Sequence, residues 1–274
     1  MDSKHLPPLF ISHGSPMTAL EPGEAGAYWL ELGPAIDAAF GRPKALLMVS
    51  AHSLTREPVL LAAPRHEAVY DFGGFDPRLN EMRYDAPGAP ELATRVEALL
   101  RGAGLAVHRV DEGGLDHGIW VPLRSMWPGA DIPVLPLAWP PNWTPARLFE
   151  LGRALAPLAD EGVLIVGSGS ITHNLRRVFA GGLHDAGDRP ATPESTAFRN
   201  WFVQRSAAAD WPALFDYRAQ APHAALMHPS DEHLLPFFVA AGAANAAGRR
   251  VHESLTFGDL GMDVYAFGPG AQAL

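Results

Sequence analysis

Three apolar runs in this chain each end in a small polar residue and then reach a histidine. They are Leu9-Phe10-Ile11-Ser12-His13, the run Ala45-Leu46-Leu47-Met48-Val49-Ser50-Ala51-His52, and Val163-Leu164-Ile165-Val166 continuing through Gly167-Ser168-Gly169-Ser170 to His173. Two more histidines sit where a side chain can be presented to a cavity. His117 lies in Gly113-Gly114-Leu115-Asp116-His117-Gly118, and His233 follows Pro229-Ser230-Asp231-Glu232. Neutral imidazole is both a metal ligand and the side chain best suited to proton transfer near neutral pH. Three imidazoles on one ion leave coordination positions open, which suits zinc Lewis-acid hydrolysis or ferrous oxygen chemistry, and spacing alone does not choose between them. With no carboxylate among the ligands the ion keeps its full charge and favours a chelating oxygen donor such as a catecholate. Histidines left outside the ligand set are then free to take a proton.

The elements that must position these residues follow from the hydrophobic pattern. Strands are predicted over 8–12, 45–51, 105–110, 132–137, 162–167, 251–257 and 262–267, and helices over 91–102, 145–158, 192–206, 208–214 and 231–242. Alternation of the two types predicts an α/β fold, a single domain over 1–274 with a mostly parallel central sheet flanked by helices. Ligands in such sheets bind beyond the carboxyl ends of the strands, so a metal site is expected at that edge. His13 and His52 then project from strand ends, and His173 lies ahead of a helix start at Asn174-Leu175. His117 reads as a residue of a glycine-flanked loop, where Asp116 is free to orient an imidazole. Ser230 followed by Asp231, Glu232 and an apolar run reads as a helix start, which puts His233 in a first turn. His228 is a second candidate beside it, clustered with His223. His5, His66, His108, His184 and His252 read as ordinary surface or half-buried residues. The irregular segment 64–90 has the character of a lid or binding loop, and both it and 207–228 are expected to shape the pocket.

Composition narrows the function classes. A formal net charge of −9, from 30 acidic against 21 basic residues, argues against nucleic-acid or anionic-membrane partners. The absence of cysteine removes thiolate nucleophiles, disulfides and cysteine-ligated clusters. No apolar signal segment or membrane-length run occurs, so a cytoplasmic protein, monomeric or a small homo-oligomer, is expected.

The segments carrying these histidines also resemble one family in order along the chain. They are Pro8-Leu9-Phe10-Ile11-Ser12-His13-Gly14-Ser15-Pro16-Met17, Val49-Ser50-Ala51-His52, Asp71-Phe72-Gly73-Gly74-Phe75, Tyr84-Asp85-Ala86-Pro87-Gly88, Leu115-Asp116-His117-Gly118-Ile119-Trp120, Gly167-Ser168-Gly169-Ser170-Ile171-Thr172-His173-Asn174-Leu175-Arg176 and Glu232-His233-Leu234-Leu235-Pro236. Together they resemble the class III extradiol ring-cleaving dioxygenases, in the branch typified by DOPA 4,5-dioxygenase. The resemblance implies a non-haem Fe(II) enzyme that opens a single-ring catechol with O2, with Zn(II) able to occupy the site. It implies His13, His52 and His233 as metal ligands. His173 would be the acid/base that assists catechol deprotonation, or a fourth ligand when zinc replaces iron. His117 would contact substrate or oxygen, and Glu232 would point elsewhere as a first-turn dipole partner. A zinc-dependent hydrolase or amidase on the same three histidines is the alternative reading of the residues, and a metal-binding relative without catalysis is a third.

Overall fold

The fully apolar runs leave no polar face for water, so they must be covered on both sides. The computed structural model, which describes residues 5–180 and 189–274, shows how. Among the described residues, eight strands form the main sheet: β1 (Leu9–Ser12), β2 (Ala45–Ser50), β3 (Val59–Leu61), β4 (His108–Val110), β5 (Val134–Ala138), β6 (Val163–Gly169), β7 (Gly248–His252) and β8 (Val264–Phe267). Their spatial order is β4-β3-β5-β2-β6-β1-β8-β7. The four central strands, β5, β2, β6 and β1, run parallel, while β8, β7 and the β3–β4 pair bring antiparallel joins to the two sides.

Among the described residues, seven helices of six residues or more surround the sheet: α1 (Gly23–Phe40), α2 (Pro90–Gly102), α3 (His117–Met126), α4 (Pro145–Leu155), α5 (Leu175–Ala180), α6 (Pro193–Ala207) and α7 (Pro236–Ala244), with shorter helical turns between 211 and 227. Successive side chains of a strand point to opposite faces even when both are buried. Leu47 and Val49 therefore join the core beneath α2, α4, α6 and α7, with Leu100, Leu151, Phe198 and Phe237. Leu46 and Met48 join the core beneath α1 and α3, with Trp29, Ile36, Ile119 and Leu123.

The predicted class holds, and several predicted elements shift. Helix α1 is not in the sequence reading. Its buried face, Trp29, Leu32 and Ile36, has helical spacing, but Pro22 and Pro34 and its glycines mask it. Helix α3 is likewise hidden by Gly118 and Pro122, so His117 is the first residue of a helix rather than a loop residue. The strand predicted at 251–257 lies at 248–252. The helix predicted from 231 begins at Pro236, a residue suited to a first helical position. Short strand β3 falls in a stretch with no predicted element. No helix among the described residues is long and apolar enough to cross a membrane.

Candidate metal centre and cavity

Strand register explains why two distant histidines meet. Ile11 of β1 and Ser50 of β2 both pair with Ser168 of β6, so His13 and His52 each stand two residues beyond the same level of the sheet. They flank β6, whose end therefore lies between them. His233 comes in over that end. Its carbonyl accepts the N–H of Ser170 at 2.8 Å, and a Cβ on Gly169 would stand 1.9 Å from the same carbonyl oxygen. Only glycine there lets the 231–235 turn settle on the strand. His233 thus belongs to a turn closed by Leu234 and Leu235 N–H bonds to the Asp231 carbonyl, ahead of α7 rather than in its first turn.

The three rings converge through their Nε2 atoms: His13 to His52 is 3.1 Å, and His233 to His52 is 3.3 Å. The protons can be placed. Ser168 Oγ donates to the Gly118 carbonyl, so at 2.9 Å it must accept from His13 Nδ1. Glu232 Oε1, 3.0 Å from His233 Nδ1, can only accept when ionised. Both imidazoles therefore carry hydrogen on Nδ1 and aim an Nε2 lone pair inward. Lone pairs facing one another this closely repel unless a cation lies between them. Two nitrogens each about 2.1 Å from one ion, at angles of roughly 90–110°, are separated by about 3.0–3.4 Å, which the observed spacing matches. His13, His52 and His233 thus form a donor set that fits a divalent metal. Each has an acceptor behind its other nitrogen, counting Asp71 Oδ2 at 3.7 Å from His52 Nδ1.

The remaining site histidines surround this set. His173 stacks on His233, with ring centroids 3.5 Å apart and planes 9° from parallel. Its backbone N–H donates to the Met227 carbonyl at 2.9 Å. His117 lies 4.0 Å from His52 and 5.3 Å from His13 between ring centroids, brought close because Gly118 has no side chain to strike His13 or Ser50. All five histidines of the sequence reading therefore come together. Four of them, His52, His117, His173 and His233, line a cavity of about 650 Å³ with Phe72, Phe75, Val178, Phe257, Leu260 and the polar residues Ser15, Glu21 and Asp76.

Some expectations change. Glu232 does not point elsewhere; it holds His233 directly. Asp116 orients no imidazole. Its buried carboxylate accepts the Ser50 and Ser53 hydroxyls, each at 2.7 Å, and so ties the β2 end to the start of α3. His228 is buried away from the donor set, with Nε2 on the Ile171 carbonyl at 2.9 Å. His66 is fully buried rather than superficial, against the Gly113 carbonyl, whereas His5 and His108 are exposed partners of Asp160 and Glu57. His184 lies outside the described residues. The 64–90 loop does line the cavity, through Phe72–Asp76, but no lining residue comes from 207–228. Asp71 was visible in the sequence only as part of a motif; it contacts both His117 and His52.

Burial disfavours the charged imidazoles, and neighbouring histidines add to it. His13 is held well below its usual range, His52 is lowered to about 3 and His173 to about 2. Burial likewise lowers His228 to about 4 and depresses His66 and His252. For all of these, the unfolded chain binds protons below about pH 6.5 that the metal-free folded chain refuses. Their stabilisation is complete above that pH and is lost as pH falls, by up to about 1.4 kcal/mol per histidine per pH unit. Glu232, lowered to about 2 chiefly by its hydrogen bond to His233, has the same sign but acts only below the ordinary carboxylate range. Thermal unfolding of metal-free protein should therefore show Tm dropping steeply between about pH 6.5 and pH 5, before carboxylates contribute. A flat Tm across that interval would contradict the buried neutral state.

Several known proteins are similar to this chain over most of its length. Residues 7–268 match the family model for the catalytic LigB subunit of aromatic ring-opening dioxygenase. A 4,5-DOPA dioxygenase extradiol of Beta vulgaris is 40% identical over 263 residues, 94% of this chain and 95% of that protein. One from Escherichia coli K12 is 37% identical over 247 residues, 89% and 87% of the two chains. The crystal structure of protein JW3007 from Escherichia coli K12 superposes with a TM-score of 0.77 at 34% identity, covering 96% of this chain and 100% of that one.

Proposed function

The chain belongs to the family of the catalytic LigB subunit of aromatic ring-opening dioxygenase and is an extradiol ring-cleaving enzyme; on that premise we propose that it opens a single-ring, DOPA-like catechol using a ferrous ion held by His13, His52 and His233. The observation that carries this reading is the convergence of three imidazole Nε2 atoms at a cavity sized for a small aromatic molecule. Membership of the family sets the zinc hydrolase reading aside, because ring opening consumes dioxygen and hydrolysis does not.

When bound, the ferrous ion supplies a meeting point for catechol and dioxygen and a path for electrons between them. The protein's own residues do the rest. Phe72, Phe75, Phe257, Leu260 and Val178 give the ring an apolar slot and exclude water from it. His173, which lines the cavity beside Glu232, is placed to accept a proton from a catechol hydroxyl. The imidazolium so formed lies within reach of Glu232, whose negative charge favours it. His117 serves the second hydroxyl or the oxygen side of the cavity.

An oxygen-electrode screen of iron-reconstituted protein across catechols tests this. The expected result is uptake of one dioxygen per catechol with a yellow ring-opened semialdehyde, strongest for DOPA-like or caffeate-like single rings. No uptake across a broad panel would overturn it.

A further inference from the structure

Asp71 belongs to none of the elements that carry the three imidazoles of the donor set, yet its carboxylate binds His117 and stands 3.7 Å from His52 of that set. It sits in the 64–90 loop. Oδ1 accepts the backbone N–H of His117 at 3.0 Å, and both carboxylate oxygens lie 3.0 Å from His117 Nδ1. The loop is strapped in place two residues earlier. Val69 N–H donates to the Leu115 carbonyl at 2.7 Å, Leu115 N–H to the Glu67 carbonyl at 2.9 Å, and Trp120 Nε1 to the Val69 carbonyl at 3.2 Å. Gly114 permits this approach, since a Cβ there would meet Val69 at 2.5 Å and the Glu67 carbonyl at 2.9 Å. Asp71 is thereby fixed over the first turn of α3 by the backbone contacts of Glu67 and Val69.

An ionised carboxylate accepts and cannot donate, so the hydrogen between Asp71 and His117 resides on Nδ1. We propose that Asp71 is a positioning residue that fixes His117 as its Nδ1–H tautomer, so that Nε2 is the acceptor His117 offers to the cavity it lines. The same loop brings Phe72 and Phe75 to the cavity wall, so correct seating of the loop and the correct His117 tautomer are set together. This rests on the role proposed above for His117.

Asp71→Asn is the informative variant. The Asn Oδ1 retains the bond to the backbone N–H, and the amide NH2 replaces Oδ2, one of the two oxygens facing Nδ1. Nδ1 then faces a donor on one side and, on the other, only an oxygen already engaged by the backbone N–H, so the Nδ1–H tautomer loses its preference and the hydrogen shifts toward Nε2. Long-range 1H–15N spectra of the metal-free protein, with His117 assigned by its loss in His117→Gln, are expected to show Nδ1–H in the wild type and a shift toward Nε2–H in Asp71→Asn. With iron restored, kcat should fall by about 10²–10⁴-fold while KM and metal content stay within a few-fold, and Asp71→Glu should recover part of the loss and the Nδ1–H signature. An unchanged tautomer in Asp71→Asn, or metal loss matching that of a ligand variant, would overturn the proposal. A changed tautomer with unchanged turnover would overturn the role given to His117 and leave the tie between Asp71 and its ring standing.

Discussion

His52→Ala is expected to lose its metal and its activity together while remaining folded. His52 Nε2 is the atom shared by both short contacts of the donor set, so its removal leaves two imidazoles with no nitrogen between them. Loss of a group that merely orients a ligand typically costs 10–100-fold in affinity, so loss of the central donor should weaken metal binding by at least about 10²-fold. The fold has little reason to suffer. The His52 side chain is 25% exposed and lies past the end of β2, outside both hydrophobic cores. Deleting it also removes a neighbour that disfavours charge on His13. Metal content after reconstitution and desalting, read beside thermal unfolding of the metal-free protein, checks this. Stoichiometric metal in His52→Ala would mean that the donor set is misassigned.

His173→Ala is expected to separate what His52→Ala combines: metal retained, turnover lost. His173 stacks face to face on His233 and lies outside the group of three whose nitrogens converge. Its removal takes away a general acid–base group, for which losses of about 10²–10⁴-fold in kcat are typical. The stack itself also goes, so a modest change in metal affinity through His233 is expected, smaller than in His52→Ala. Equal metal loss in the two variants would make His173 a ligand instead.

The legible part of this site was the part written locally in the chain. His13 and His52 follow uninterrupted apolar strands, and the parallel register places such residues at one level without help from side chains. His173 was legible for the same reason, being ahead of a helix start. The structure of the His117 and His233 segments was less so. Helix α3 begins at His117 despite Gly118 and Pro122, because Ile119, Trp120 and Leu123 bury their side chains against the sheet, and burial outweighs propensity. The 231–235 turn delays α7 to Pro236, and nothing in Ser230-Asp231-Glu232 distinguishes a helix start from a single turn. Asp71 and Glu232 were illegible in role, since what they do depends on contacts made only in three dimensions. Glu232 follows the pattern of a dipole partner yet binds its own neighbour, and Asp71 reaches His117 across 46 residues.

The most direct test of the central claim is the isotopic composition of the product formed under 18O2 by iron-reconstituted wild type and by His52→Ala. The account predicts that the wild-type product gains two oxygen atoms from one dioxygen, allowing for exchange of the aldehyde oxygen with water, and that metal-free His52→Ala gives no ring-opened product. Ring-opened product from metal-free His52→Ala, or a wild-type product free of label, would contradict it.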